Sequence, residues 1–341
     1  MRLSELPRIW MAPMAGEAAS AALVAAVCSS GGFGQLGAAY LSPARIAEVA
    51  ADIRARTTQP FGINLFCPQP WVRDDEALDD YLSRLAPWHT ALGLAAPTRP
   101  ERFEEDFEAQ LAATVAARPA VISFVMGDPG AARVAALKAQ GFLVVGTATQ
   151  VAEGLLLQAS GVDAVVAQGY EAGGHRGGFL GTAEGALIGT MALVPQLVDA
   201  LGIPVIAAGG IADARGVAAA QALGASAVAV GTAFLLADEC PLSPAYRAAL
   251  LAARDADSTL TRAFSGRLAR GVANRVTRAL EGADLPAFPQ PNAASRPMRQ
   301  AAAKAGDADF ISLWAGQALP LNRAGRPAAD LVAALAKGWR P

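Results

Sequence analysis

The sequence predicts a (β/α)8 TIM barrel with insertions and a mostly helical C-terminal appendage over the barrel mouth. Three observations predict it. Short apolar runs alternate with alanine-rich helical stretches along the first 235 residues. The runs are apolar throughout rather than alternating, as expected of parallel strands covered on both faces by helices. There are eight of them, the number that closes such a sheet into a barrel. An open doubly wound sheet is the competitor, but no G-x-G-x-x-G follows the first run, as a dinucleotide fold would want.

Ile9–Ala12 is the first strand and Ala18–Cys28 the first helix, ended by Ser29-Ser30-Gly31-Gly32. Phe33–Leu36 is a weak second strand. Ser42 then caps a helix running to about Arg56, with Pro43 at its first position, where a missing N–H costs nothing. Phe61–Leu65 is the third strand. Cys67–Pro100 is too long for a simple return and carries Pro68, Pro70, Trp71, Trp88 and His89, so it reads as an insertion; a charged helix follows near Glu101–Ala117. Val121–Val125, Leu143–Gly146 and Val162–Ala167 are strands four to six, separated by helices Pro129–Gln140 and Val151–Ser160. A helix near Met191–Leu201 leads to Val205–Ala208, and Asp213 caps Ala214–Leu223 ahead of the eighth strand, Ala227–Val230. From Phe234 the pattern breaks into prolines and an Arg-rich segment, Arg262–Arg278. Residues 1–235 are therefore assigned to the barrel, with its insertion at about 67–100. Residues 236–319 form a helical region over the mouth, and 320–341 a C-terminal helix (Ala329–Lys337) packed on the barrel.

Composition removes several classes of function. A formal net charge of −2, with no basic stripe interleaved with aromatics, argues against nucleic acid. The start, M-R-L-S-E-L-P-R, has no apolar core like that of a signal peptide, and Ala18–Cys28 is too short to span a bilayer. No membrane partner is expected, and the cytoplasm is the expected compartment. Cys28, Cys67 and Cys240 are odd in number, widely separated and without a C-x-x-C pair, so neither disulfide nor metal site is expected.

In such barrels the chemistry lies at the carboxyl ends of the strands. After the sixth strand the sequence reads Q-G-Y-E-A-G-G-H-R-G-G-F, with glycines at 169, 173, 174, 177 and 178. So much glycine costs backbone entropy and suits a place where backbone lies against a flat or phosphorylated ligand. Gly209-Gly210-Ile211 and Gly231-Thr232 follow strands seven and eight, where barrels commonly hold phosphate on backbone N–H groups. Gly210 and Gly231 lack a Cβ that would hold a phosphate away, and Thr232 adds a hydroxyl donor. Tight strand–helix packing would explain either glycine alone; the pair points to one phosphate. Asn64 and Gln168 offer amides that suit the edge of a heteroaromatic ring. A flavin mononucleotide (FMN) has both features. His175, flanked by glycines, can take a proton from carbon or, when charged, hold an anion. Glu171, four residues earlier, either orients it or is a solvated loop carboxylate. His89 reads as surface or structural.

At this point the segments 168–175, 204–211 (P-V-I-A-A-G-G-I) and 231–234 (G-T-A-F) resemble the nitronate monooxygenases, formerly called 2-nitropropane dioxygenases. The likeness extends to A-P-M-A-G (12–16), G-I-N-L-F (62–66) and S-L-W-A-G-Q (312–317), and so covers almost the entire chain. Gln168 together with W-A-G-Q looks like the class I branch; related flavin reductases tend to carry glutamate at the Gln168 position. The resemblance implies an FMN-dependent barrel that oxidises alkyl nitronates, such as propionate 3-nitronate, with O2 to a carbonyl compound and nitrite. The expected cofactor contacts are Ala12, Pro13, Met14, Asn64, Gln168, Gly173, Gly210, Ala229, Val230, Gly231 and Thr232, with His175 the catalytic residue. Two departures stand out: Ala229, where many members have a polar residue, and Phe33-Gly34-Gln35-Leu36 in the second-strand region. Because a nitronate is already a carbanion equivalent, His175 is expected to act mainly as a positively charged clamp on the nitro oxygens. It becomes a base only toward a neutral nitroalkane. The rivals are an FMN-dependent NAD(P)H reductase of enoyl thioesters or quinones, a flavin carrier without turnover, and a barrel of the IMP dehydrogenase type. The last needs a cysteine in the loop after strand six, and none lies there.

Overall fold

The computed structural model describes residues 2–16, 18 and 20–340. The first stave of the barrel is split into Ile9–Met11 (β1) and Met14–Ala15 (β2) by Ala12 and Pro13. Next come Gln35–Gly37 (β3), Gly62–Phe66 (β4), Val121–Val125 (β5), Leu143–Ala148 (β6) and Ala164–Gln168 (β7). A two-residue strand, Gly174–His175 (β8), lies outside the ring, which Val205–Ala208 (β9) and Ala227–Val230 (β10) complete. All ring pairs are parallel, in the order β1-β10-β9-β7-β6-β5-β4-β3-β2. The two ends of that list are one stave, and Phe33 completes the closure by donating its N–H to Ile9 and accepting that of Met11, both at 2.9 Å. The predicted barrel is therefore present.

Its helices follow the predicted punctuation. Ala21–Ser29 (α1) is capped by Ser20, later than the expected start at Ala18; Ala19, within that expected helix, lies outside the described residues. Pro43–Arg56 (α2) begins where Ser42 accepts the Arg45 N–H, as predicted. The insertion carries a helix of its own, Asp75–Ala91 (α3), and precedes Phe107–Ala116 (α4). Ala131–Ala139 (α5), Val151–Ala159 (α6), Thr190–Ala200 (α7), Ala214–Ala222 (α8, capped by Asp213) and the short Thr232–Leu235 (α9) complete the outer ring.

Strand alternation divides the barrel into two layers of function. Outward residues such as Val144, Val165, Ala207 and Val228 pack with the helices into the main core. Inward residues low in the barrel, among them Trp10, Phe33, Val121, Leu143 and Ile206, fill its interior. Higher up, the inward positions turn small or polar (Asn64, Ser123, Thr147, Gln168, Ala208, Ala229) and face a cavity instead.

The C-terminal region contains Pro244–Ala252 (α10), Ser258–Thr261 (β11), Ala269–Val272 (β12), Arg275–Ala279 (α11), Gln290–Ala294 (α12), Arg296–Ala305 (α13) and Ala328–Ala336 (α14). It is mostly helical, as expected, but a hairpin spans the start of the Arg-rich stretch. β11 and β12 are antiparallel, and β12 pairs in turn with β8, placing Ala269 opposite His175. The appendage thus reaches into the glycine loop by a sheet. α14 packs on α1 and α8. Among the described residues, no helix is long and apolar enough to cross a membrane.

Candidate active site

A cavity of about 1380 Å³ lies at the carboxyl ends of the strands, beneath the appendage. It brings together Ala12, Pro13, Met14, Asn64, Gln168, Gly173, His175, Gly210, Ala229, Gly231 and Thr232. Val230 stands apart. Its side chain belongs to the helix-facing core, and its carbonyl accepts the Ala12 N–H at 2.8 Å, so only its backbone borders the site.

The loop after β9 and the turn after β10 form a nest of donors. Gly209 and Gly210 take φ of +104° and +73°, the left-handed region that glycine enters without strain. Among the described residues, the N–H groups of Gly209, Gly210, Gly231 and Thr232 donate to no protein acceptor. The Thr232 hydroxyl accepts the Gly316 N–H at 2.9 Å, which leaves its own proton free to donate. Converging N–H groups of this kind bind anions. Gly316 belongs to the 312–317 segment, so that segment seals one side of the nest.

The glycine loop is fastened rather than mobile. Glu153, fully buried, accepts from the Thr149 N–H and hydroxyl at 2.6 and 2.9 Å and from the N–H groups of Phe179 and Leu180 at 2.5 and 2.9 Å. Arg176 donates to the carbonyls of Gln168, Gly169 and Ala186, and Arg267 to those of Arg176 and Gly178. Gln168 spends both ends of its amide here, Nε2 on the His175 carbonyl at 3.0 Å and Oε1 on the Gly177 N–H at 2.7 Å. Asn64 likewise donates to the Ser123 carbonyl and hydroxyl, at 3.1 and 3.0 Å, and Ser123 passes the chain on to Gln35. That is where the unusual Gln35 finds its use: buried, it donates to the Met11 carbonyl and ties β3 to the split first stave.

Glu171 does not orient His175. Its carboxylate takes the Thr190 N–H at 2.9–3.0 Å and stands 2.9 Å from the Thr190 hydroxyl, anchoring the start of α7. His175 is held instead by Ser265, whose Oγ lies 2.9 Å from Nε2. Ser265 Oγ also donates to the Arg267 carbonyl at 3.1 Å. Its one proton being committed there, it accepts from Nε2–H, leaving the Nδ1 lone pair free on the cavity side. Phe66, Phe288 and Trp314 box the ring, with centroids 5.6–6.2 Å away.

This surrounding works against the expected charge. Burial first, and then Arg267 and Arg299 nearby, push the His175 pKa down to about 3, which favours the neutral imidazole over a cationic clamp in the ligand-free protein. Because the folded value lies below the unfolded one of about 6.5, the unfolded state binds the extra proton. The contribution of His175 to stability is therefore full above about pH 6.5 and is lost as pH falls toward 3. His175→Gln should move the acid unfolding midpoint, followed by circular dichroism, to lower pH. His89 is buried and structural, with Nδ1 2.9 Å from the Ala95 carbonyl at the end of α3.

The profile of the nitronate monooxygenase family matches residues 2–338. The chain belongs to the nitronate monooxygenase family. It is 42% identical over 336 residues to the nitronate monooxygenase of Paraburkholderia phytofirmans, a match covering 96% of this chain and 90% of that relative. Among solved structures, the nitroalkane oxidase from Streptomyces ansochromogenes is similar at a TM-score of 0.92 and 39% identity, over 98% of this chain and 96% of that one. FabK from Thermotoga maritima is similar at 0.73 and 28%, over 97% and 92%. The residues around the site that sequence reasoning missed are Glu153, Ser265, Arg267, Phe288 and Arg299. None carried a local signal. Trp314 did, inside the W-A-G-Q block.

Proposed function

We propose that the protein oxidises alkyl nitronates, such as propionate 3-nitronate, with O2 to a carbonyl compound and nitrite, using FMN. The observation that carries this reading is the nest of unpaired N–H donors after β9 and β10 sharing one cavity with a neutral imidazole. The residues present fit the cofactor: four free backbone donors and the Thr232 hydroxyl match a lone phosphate, and Gly210 leaves room for it. When bound, FMN supplies the electron transfer between nitronate and oxygen. Ala12–Met14, Asn64, Gln168, Gly173 and Ala229 would contact the bound cofactor, Val230 through its backbone alone. A nitronate needs no base; toward a neutral nitroalkane, His175 Nδ1, kept free by Ser265, accepts the proton only as the nitronate anion forms beside it and offsets the charge that burial disfavours. The aromatic box of Phe66, Phe288 and Trp314 limits water around that nitrogen. In this reading residues 1–235 carry the cofactor, 236–319 cover the substrate and 320–341 brace the barrel, in a cytoplasmic enzyme.

Purified protein should be yellow, and adding ethyl nitronate should consume oxygen and release nitrite. Colourless protein that riboflavin phosphate fails to colour would remove the proposal. The likeness to FabK favours one second reading, an FMN-dependent NAD(P)H reductase of enoyl thioesters or quinones on the same scaffold. Anaerobic bleaching of the flavin by NADH or NADPH would select that reading, and bleaching by nitronate alone the first.

A further inference from the structure

The cavity wall contributed by α13 is cationic and unpaired. Arg299 donates through Nε to Ser295 Oγ at 3.1 Å and through Nη2 to the Asn292 carbonyl and Oδ1 at 2.7 and 3.1 Å. Nη1 has no acceptor among the described residues, and Arg299 lines the cavity. Arg296, one turn before it on the same wall, makes no hydrogen bond or ion pair among them. The groups whose charge acts on Arg299 are Tyr40, Tyr81 and Arg296, with no carboxylate in the set. Both phenols are pushed upward by burial, Tyr40 to about 12, so neither supplies a negative charge at neutral pH. The Tyr40 hydroxyl, buried on the same side, has no partner either.

Most other arginines that line a site or bury their charge are accounted for, although the buried Arg270 also has no carboxylate, spending itself on the Tyr170 carbonyl, Ser258 Oγ and the Tyr170 ring. Arg99, Arg215 and Arg262 pair with Asp79, Asp213 and Glu184 at the surface, and the buried Arg176 and Arg267 spend themselves on loop carbonyls close to Glu153. Arg299 and Arg296 are half-buried and face the cavity without a counter-ion, and an anionic ligand there would complete the wall. Its place also matters. Tyr40 follows β3, and Phe288, just before α12, packs on Phe66 at the end of β4. The nest follows β9 and β10, across the ring. The two anion sites are thus separate.

The geometry points to Arg299, with Arg296 and the Tyr40 hydroxyl beside it, as the group that receives the anionic end of the substrate. This rests on the nitronate reading above and moves the positive charge from His175 to α13. A purely structural strut between α12 and α13 accounts for Nε and Nη2. It leaves Nη1 and the missing counter-ion unexplained.

The holoenzyme variants Arg299→Gln and Arg299→Lys test it. For Arg299→Gln, KM for ethyl nitronate should rise roughly 10- to 100-fold, the range of a lost charge-assisted hydrogen bond. FMN content should be retained and KM for neutral nitroethane should change little. Arg299→Lys should recover much of the loss. Nitrate, added to the wild-type holoenzyme, should perturb the bound flavin's absorbance, and Arg299→Gln should abolish the effect. An unchanged nitronate KM in flavin-replete Arg299→Gln overturns the inference, as do equal rises for nitronate and nitroethane. If wild type consumes no oxygen with nitronate, the functional reading falls. The nitrate titration then decides the anion site alone: binding lost in the variant supports it, and binding retained overturns it. Should Arg299→Gln not fold, Arg296→Gln carries the same comparison, a selective rise in nitronate KM supporting the site and no change overturning it.

Discussion

Replacing Glu153 by alanine is expected to remove about 3–5 kcal/mol of stability, the range for breaking a buried, hydrogen-bonded charge network. The carboxylate is completely buried on α6 and is the acceptor for two donors of Thr149 and the N–H groups of Phe179 and Leu180. Alanine leaves four donors without acceptors. It also removes the negative charge that acts on Arg176 and Arg267, both depressed by burial to about 10. Those two arginines hold the carbonyls of the glycine loop, so the damage concentrates there. The melting temperature should fall by roughly 5 °C, scaling the per-residue unfolding entropy to a chain of this size. Amide exchange over residues 168–180 should accelerate far more than exchange in β5 or β6. Glu153→Gln, which keeps one acceptor oxygen and turns a donor toward the others, should fall between. An unaltered melting temperature in the alanine variant would show that the loop is held by its arginines alone.

The same residue shows what a sequence reveals and what it hides. The barrel was legible because its strands, buried on both faces, are uninterrupted apolar runs; Val121–Val125, Val205–Ala208 and Ala227–Val230 come out with the predicted bounds. The split at Ala12-Pro13 was less legible, since nothing local announces that one stave pairs with β10 below and β3 above. The site was legible wherever its chemistry sits on glycine-rich turns at strand ends. It was illegible where it depends on distant, ordinary residues. Glu153 reads as a solvated helical acid, Ser265 as a loop serine, and Arg267 and Arg299 as surface charge. Only tertiary packing brings Glu153 to a loop some 26 residues later, Ser265 and Arg267 to the same loop about 90 residues earlier, and Arg299 to the mouth. β12 escaped for a related reason: in Ala269-Arg270-Gly271-Val272 the arginine is buried and the glycine lies against the Leu313 carbonyl, so no apolar alternation marks the strand. Glu171 takes neither of the two roles open to it, orienting His175 or standing in solvent; the fold turns it to Thr190.

Gly173→Ala should damage cofactor binding. A Cβ at 173 would stand 2.5 Å from the Ala315 carbonyl carbon and 2.6 Å from the Gly316 nitrogen, both backbone, so no side-chain rotation relieves it. The approach is mutual: a Cβ at Gly316 would meet the Glu171 carbonyl at 2.7 Å. What must yield is the 312–317 segment, held by the Gly316–Thr232 and Gln317–Glu171 hydrogen bonds and by pairing with β12. Overpacking of this kind costs about 1–3 kcal/mol, and if displacement of Gly316 unseats Thr232, FMN affinity should fall roughly 10- to 100-fold. Gly181 separates crowding from backbone strain. It sits at φ +67° with nothing within 4 Å of an added Cβ, so Gly181→Ala pays conformational strain without collision. Titrating the two apoproteins with FMN by fluorescence quenching should leave Gly181→Ala near wild type and Gly173→Ala weak. Equal affinities would mean that the contact between the glycine loop and the 312–317 segment does not shape the cofactor site.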